Sequence, residues 1–172
     1  MGKIYTALGL MSGTSMDGID ASIISSDGDR EYSIIADKYY KYEEKFRDDL
    51  PRIRSKILTS EDLVAFKAEI SSLERELTLL HAFAANDLVK KNNLNIDFIG
   101  FHGHTLFHDT KKKISKQIGD GNLLSQLCKK DVIFDFRQSD IENGGEGAPL
   151  TPIFHNAIAN KIFYKEFNKF DT

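Results

Sequence analysis

The sequence predicts an α/β domain, a mixed β-sheet with helices on both faces in the order βββαβαβα. Three observations carry this. Up to Tyr42 the chain holds three β-favouring segments joined by short turns, which makes an antiparallel meander. Between residues 60 and 88, Leu63, Phe66, Ile70, Leu73, Leu77, Leu80, Ala84 and Leu88 recur at spacings of three and four, the pattern of a core-facing helix. Beyond it, apolar runs at 96–101 and 132–136 flank a second helical pattern, and right-handed crossovers between such runs make their strands parallel.

The bulk numbers exclude several classes. At 172 residues the chain suits one domain with a real core. With 23 basic against 26 acidic residues, no overall field draws nucleic acid or an anionic membrane. The single Cys128 excludes an internal disulfide and suits a reducing compartment. No apolar run approaches about 18 residues and no charged-then-apolar leader opens the chain. A cytoplasmic location without membrane contact is expected.

Taken in order, β1 is expected over residues 4–10 and β2 over 21–25. Between them lies a turn rich in small and hydroxylated residues. Gly13, Thr14, Ser15 and Gly18 let backbone N–H groups approach an anion without a Cβ in the way, and the hydroxyls add donors. That is the chemistry of a phosphate cradle, although the same composition also makes an ordinary hairpin. It is neither a P-loop nor a dinucleotide fingerprint, because no Lys follows the glycines and a strand comes next. Asp27-Gly28-Asp29 turns the chain into a third strand over 31–42. Residues 45–56 read as a short helix that Pro51 kinks or restarts. Ser60 is expected to cap the long helix, with His81 at the boundary of its apolar stripe.

Asn92-Asn93 end that helix. Residues 96–104 read as a buried strand running into a loop, polar only at its carboxyl end, where ligand groups collect in open α/β sheets. Lys111-Lys112-Lys113 sits beside a turn as a solvated face. The turn at 119–122 opens a helix containing Leu123, Leu124, Leu127 and a core-type Cys128. A strand follows over 132–136, then a glycine-rich loop over 143–150 and a final helix over 153–163. Meander first and crossovers afterwards is the ribonuclease-H-like order found in each half of the sugar kinase, actin and Hsp70 fold, and it supports the phosphate reading of the first turn.

Two clusters carry further chemistry. His102, His104 and His108 form H-x-H-x3-H, and residues two apart on a strand share a face. No Cys or acidic pair completes a tetrahedral metal set, so the alternatives are a ligand-facing polar cluster and exposed loop histidines. Asp135 and Arg137 are expected on one side of a strand end, within reach of Glu146. Guanidinium and carboxylate together suit hydroxyl-rich or carboxylate-bearing ligands, and two acids also fit a glycosidase pair.

At these residues a resemblance emerges. The run from Gly9 to Asp20 resembles the opening signature of the anhydro-N-acetylmuramic acid kinases, and Gly100-Phe101-His102-Gly103-His104-Thr105 resembles their G-x-H-G-Q-T block. Gln117 to Leu124, and Asp135-Phe136-Arg137 through Gly144 to Leu150, are similar to two further blocks. The resemblance implies ATP-dependent, hydrolytic opening of 1,6-anhydro-N-acetylmuramic acid to the 6-phosphate, a step in recycling peptidoglycan. It implies that Gly13, Thr14, Ser15, Met16, Asp17, Gly18, Ile19 and Asp20 bind ATP, and that Asp17 and Asp20 place Mg²⁺ directly or through water. It also implies that His102, Thr105, Asp135, Arg137, Gly145, Glu146 and Gly147 line the amino-sugar site.

The chain departs from the family at His104, where the block has Gln, and at Gln138-Ser139, where a D-F-R-R-R-D run is the pattern. The family's catalytic Asp, in G-F-D-x-G-P, and its adenosine-binding glycines belong to a second half. Phe170-Asp171-Thr172 matches that motif in letters only, so no catalytic base is assigned. The expectation is a single N-terminal ATPase-type domain over residues 1–172 with the C-terminal domain absent. It would be inactive alone, completed by a separately encoded C-terminal half, and prone to associate through uncovered apolar surface. The alternatives are a degenerate, non-catalytic sugar- or partner-binding domain of the same fold and a ribonuclease-H-like nuclease. The nuclease requires acids where Met11 and Ser12 stand.

Overall fold

The computed structural model describes residues 3–167. Its elements are β1 (Tyr5–Met11), β2 (Gly18–Ser26), β3 (Tyr32–Lys41), α1 (Glu44–Arg54), α2 (Ser60–Ala65), α3 (Lys67–Lys91), β4 (Phe98–Asp109), β5 (Ile114–Ile118), α4 (Gly121–Cys128), β6 (Asp131–Phe134), α5 (Phe136–Glu142) and α6 (Pro152–Phe167). β1 pairs antiparallel with β2, and β2 with β3, which gives the expected meander. β4 runs parallel to β1 along one edge and to β6 along the other, while its far half pairs antiparallel with β5. The sheet is therefore mixed.

Alternation within the strands separates two faces. Leu8, Leu10, Ile19, Ala21, Ile23, Ile99 and Phe101 point inward and join one core with Phe46, Leu50 and Ile53 of α1 and Leu73, Leu77, Ala84 and Leu88 of α3. On the other face Gly9, Met11, Asp20, Ser22, Tyr39, Gly100 and His102 bound a cavity of about 660 Å³ with Phe136 of α5 and Phe154 of α6. α6 reaches this face at Tyr32, whose ring meets Phe154 edge-on at 5.1 Å and whose carbonyl accepts from Lys161 Nζ. No helix among the described residues is long and apolar enough to cross a membrane.

Several expectations are corrected. The loop after His104 is instead strand, because β4 continues to Asp109 and returns as β5. Asp109 Oδ1 closes the lysine turn by accepting from the backbone N–H groups of Lys111 at 3.0 Å and Lys112 at 3.1 Å. The long helix breaks at Phe66, whose φ of −102° and ψ of 19° are not helical. Its cap is Thr59 rather than Ser60: Asp62 Oδ2 accepts from Thr59 N at 2.8 Å in a reciprocal capping box. Pro51 lies inside α1 and does not restart it, because the helix runs unbroken from Glu44 to Arg54. His81 is fully buried rather than at a boundary. The last strand stops at Phe134, and the residues that follow Asp135 form α5.

Candidate functional site

Because β1, β4 and β6 are parallel, their carboxyl ends gather at one edge of the sheet, the place where open α/β sheets collect ligand groups. The β1–β2 turn, the His102–His104 segment and Asp135 all lie there.

The turn is pinned at both ends. Ser12 N donates to the Gly103 carbonyl at 3.1 Å, and Tyr42 N donates to the Asp17 carbonyl at 2.8 Å. Within it, Met16 N donates to the Gly13 carbonyl at 3.1 Å, with Met16 in the left-handed region at φ 56°. Thr14 and Ser15 are left exposed. The two glycines differ. A Cβ on Gly13 would meet nothing nearer than 3.8 Å, whereas one on Gly18 would stand 2.5 Å from the Tyr39 ring and the Tyr40 carbonyl. Gly18 is therefore a packing glycine, and Gly13 an open one. Ile19 points into the core, and Asp20 is exposed on the cavity face, across from Met11 and Tyr39.

Asp17 accepts from Ser15 Oγ, and this bond is the main cause holding its carboxyl below the usual carboxylate range, with Tyr39 and Lys41 assisting. Partial desolvation, then the bond to Asp17 and the charges of Asp17 and Asp20, push the Tyr39 phenol up. Two carboxylates thus flank one phenol. No grouping of three or more His, Cys, Asp or Glu side chains able to hold a metal occurs among the described residues. Two carboxylates do fit Mg²⁺, which keeps several waters and takes the rest of its shell from phosphates.

The second cluster centres on Arg137. His102 Nδ1 donates to the Gly103 carbonyl at 3.1 Å, which leaves Nε2 to accept from Arg137 Nε at 3.2 Å. Arg137 Nη1 donates to the Gly147 carbonyl at 2.7 Å, and Asp140 Oδ2 accepts from Gly147 N at 2.8 Å. Burial first, and the neighbouring guanidinium, hold His102 below its ordinary value, which suits the acceptor role. His102, Arg137, Gly145 and Gly147 are thus brought together, with Gly145 N on the Asp140 carbonyl at 2.9 Å.

Asp135 lines a smaller cavity of about 310 Å³ with His102, Gln117, Asp120 and Gln138. Thr105 Oγ1 accepts from Gln117 Nε2 at 3.0 Å and reaches that cavity only through it, while Glu146 is exposed in its loop. Asp135 and Arg137 do not share a strand face. Asp135 is left-handed at φ 61° and turns the chain out of β6, so Arg137 stands on α5. The histidines also part. Gly103 at φ 68° breaks the pleat, turning His102 toward Arg137 and His104 into the interior beside Ser12, while His108 is exposed farther along β4.

Two site-supporting residues escaped sequence reasoning. Glu74 Oε1 on α3 accepts from Gly119 N at 3.2 Å, and Thr78 Oγ1 accepts from Asp120 N at 3.0 Å. Together they fix the turn that borders the smaller cavity. The available signal was polarity inside the α3 stripe, where Thr78 is fully buried.

A hydroxyl-lined turn and a His–Arg–loop cluster at the shared ends of parallel strands define an α/β domain consistent with a sugar-kinase-type fold. Residues 5–165 match the family model described as anhydro-N-acetylmuramic acid kinase. A Pelagibacter ubique protein of that name is 53% identical over 161 residues, covering 94% of this chain and 43% of its own length. Proteins of the same name from Gluconobacter oxydans and Agrobacterium fabrum are 44% and 39% identical, covering 90% and 94% of this chain and 42% and 44% of themselves. The chain belongs to the anhydro-N-acetylmuramic acid kinase family, and it spans less than half the length of these relatives.

Proposed function

We propose that residues 1–172 form the N-terminal ATPase-type domain of a cytoplasmic kinase. It opens 1,6-anhydro-N-acetylmuramic acid with water and transfers the γ-phosphoryl group of ATP to O6, yielding N-acetylmuramic acid 6-phosphate for peptidoglycan recycling. The observation that carries this reading is the open Gly13-Thr14-Ser15 turn, pinned from below and set at the same sheet edge as the His102–Arg137–Gly147 cluster. The meander followed by parallel β4 and β6 supports the ribonuclease-H-like form of the fold.

In this reading the backbone N–H groups of residues 13–15 and the hydroxyls of Thr14 and Ser15 cradle the terminal phosphates. The Gly13 position lets the chain approach them closely, and Met16, Gly18 and Ile19 shape the segment through the backbone. Asp17 and Asp20 would hold Mg²⁺, directly or through water, which would supply positive charge against the phosphates. Asp135 accepts from sugar hydroxyls, Arg137 fixes His102 and the glycine loop, and Thr105, Gly145, Glu146 and Gly147 complete the sugar wall. The base that activates water is assigned to none of these residues. A C-terminal half, on the same or a separate chain, supplies it with the adenosine pocket.

Calorimetric titration with Mg-ATP tests the cradle. Gly13→Ala is expected to weaken binding by about tenfold or more without lowering the melting temperature, because its Cβ meets nothing in the protein nearer than Ser15 Oγ at 3.8 Å. Equal affinity in both proteins refutes the cradle. Phosphate transfer to 1,6-anhydro-N-acetylmuramic acid is expected only when a family C-terminal half is added. Turnover by this chain alone overturns that division. Sugar binding that never yields product, even with the second half, assigns the chain to a non-catalytic binding domain instead.

A further inference from the structure

We infer that His104 is a positioning residue for the β1–β2 turn, holding Ser12 from behind so that the phosphate-facing amides keep their direction. The ligand in this inference rests on the proposed function, but the geometry does not. Ser12 begins the turn and is tied to β4 twice, by its N–H to the Gly103 carbonyl at 3.1 Å and by its Oγ to His104 Nδ1 at 3.2 Å. The second tie exists because Gly103 reverses the strand's alternation. A Cβ there would stand 2.3 Å from the Ile118 carbonyl oxygen at φ 68°, so no other residue takes its place without strain. The reversal carries the imidazole through the sheet edge into the layer between the turn and α3.

A packing role does not account for this imidazole. His104 is 1% exposed, and its Nε2 and that of His81, the neighbouring imidazole on α3, are buried without a protein partner. Unpaired polar atoms are costly in an interior, and an apolar side chain would fill the same space more cheaply. What an apolar side chain cannot do is bond Ser12. The departure from the family's Gln therefore lies beneath the turn, beside Ser12, and a Gln amide carries both a donor and an acceptor for a serine hydroxyl.

Amide hydrogen exchange on the whole chain separates positioning from packing. His104→Leu is expected to speed exchange at Ser12 by about tenfold beyond its effect on the α3 amides, the equivalent of one buried hydrogen bond. Leu77→Ala, which empties the same core without touching Ser12, should speed exchange evenly. His104→Gln should restore Ser12 protection, and Ser12→Ala should shift the ¹⁵N resonance of the His104 ring. If His104→Leu does not fold, that ring shift and the glutamine rescue still decide the matter. An even rise in His104→Leu, no rescue by glutamine, or an unmoved ring resonance overturns the inference. With Mg-ATP as probe, His104→Leu should bind about tenfold more weakly and His104→Gln like the parent. Failure of the parent to bind Mg-ATP even with a family C-terminal half added refutes the kinase reading and leaves the exchange result standing, whereas equal binding by parent and leucine variant refutes the positioning role.

Discussion

The two faces of the sheet contrast sharply. The inner face is apolar and closed by α1 and α3, and its strand residues Leu8, Ile23 and Ile99 are wholly buried. The outer face mixes Gly9, Met11, Asp20, Ser22, Tyr39 and His102 and stays partly open beneath α5 and α6, with Met11 and Tyr39 44% and 47% exposed. The same strands build both, so the difference teaches a division of labour. Folding free energy is concentrated where the pleat points inward, which leaves the outward residues open to selection for ligand chemistry. Phe46→Ala, in the inner core, should therefore be among the most damaging single changes, costing about 3–5 kcal/mol in denaturant unfolding.

Acid attacks the inner face next. Burial pushes His81 and His104 down to about 4 from 6.5, against the opposing pull of the Leu77 carbonyl and the Ser12 backbone respectively. Both are neutral in the folded chain and protonated in the unfolded chain between those values. Unfolding then takes up protons, so stability is complete above pH 6.5 and falls as the pH drops toward 4. Each histidine contributes at most about 3 kcal/mol to that fall. Urea midpoints measured across this range should show the slope, and His81→Leu should remove about half of it. A midpoint that does not change with pH would place both imidazoles in water.

This contrast also explains what the sequence revealed. Inner-face elements announced themselves because burial forces periodicity: the meander, the α3 stripe and the two parallel strands were all legible from apolar spacing. The breaks were not. Phe66 reads as one more apolar step in a continuous stripe, yet its backbone leaves the helix, while Gly103 and Asp135 reverse direction through positive φ at single residues. Spacing rules assume an unbroken pleat, so they placed His102 with His104 and Asp135 with Arg137. At the sheet edge, the small, hydroxylated turn of Gly13, Thr14 and Ser15 could be read from composition, whereas the bonds of Glu74 and Thr78 span 45 and 42 residues of sequence, and only their polarity along an apolar stripe marked them.

The two glycines of the turn sharpen the comparison at smaller energies. Gly18→Ala drives a methyl to 2.5 Å from the Tyr40 backbone and the Tyr39 ring, and overpacking of that kind costs about 1–3 kcal/mol. Gly13→Ala, five residues earlier, should change stability by no more than about 0.5 kcal/mol. Thermal melts of the pair decide it, and equal losses would mean that the turn is packed like the core.

The smallest effects belong to the hydroxyls around Asp17, where stability should not move and only a proton should. Ser15 Oγ is the main cause of the lowered Asp17 value, and the Tyr39 hydroxyl is a lesser one. Ser15→Ala should therefore raise the Asp17 titration midpoint more than Tyr39→Phe does, as read from carboxyl carbon shifts against pH. Both variants should unfold at the parent's denaturant midpoint, because these groups lie at the surface, where hydrogen bonds to solvent replace those lost. A larger shift from Tyr39→Phe would make the outer-face phenol the principal partner, and the carboxylate would then be organised from the sheet rather than from the turn.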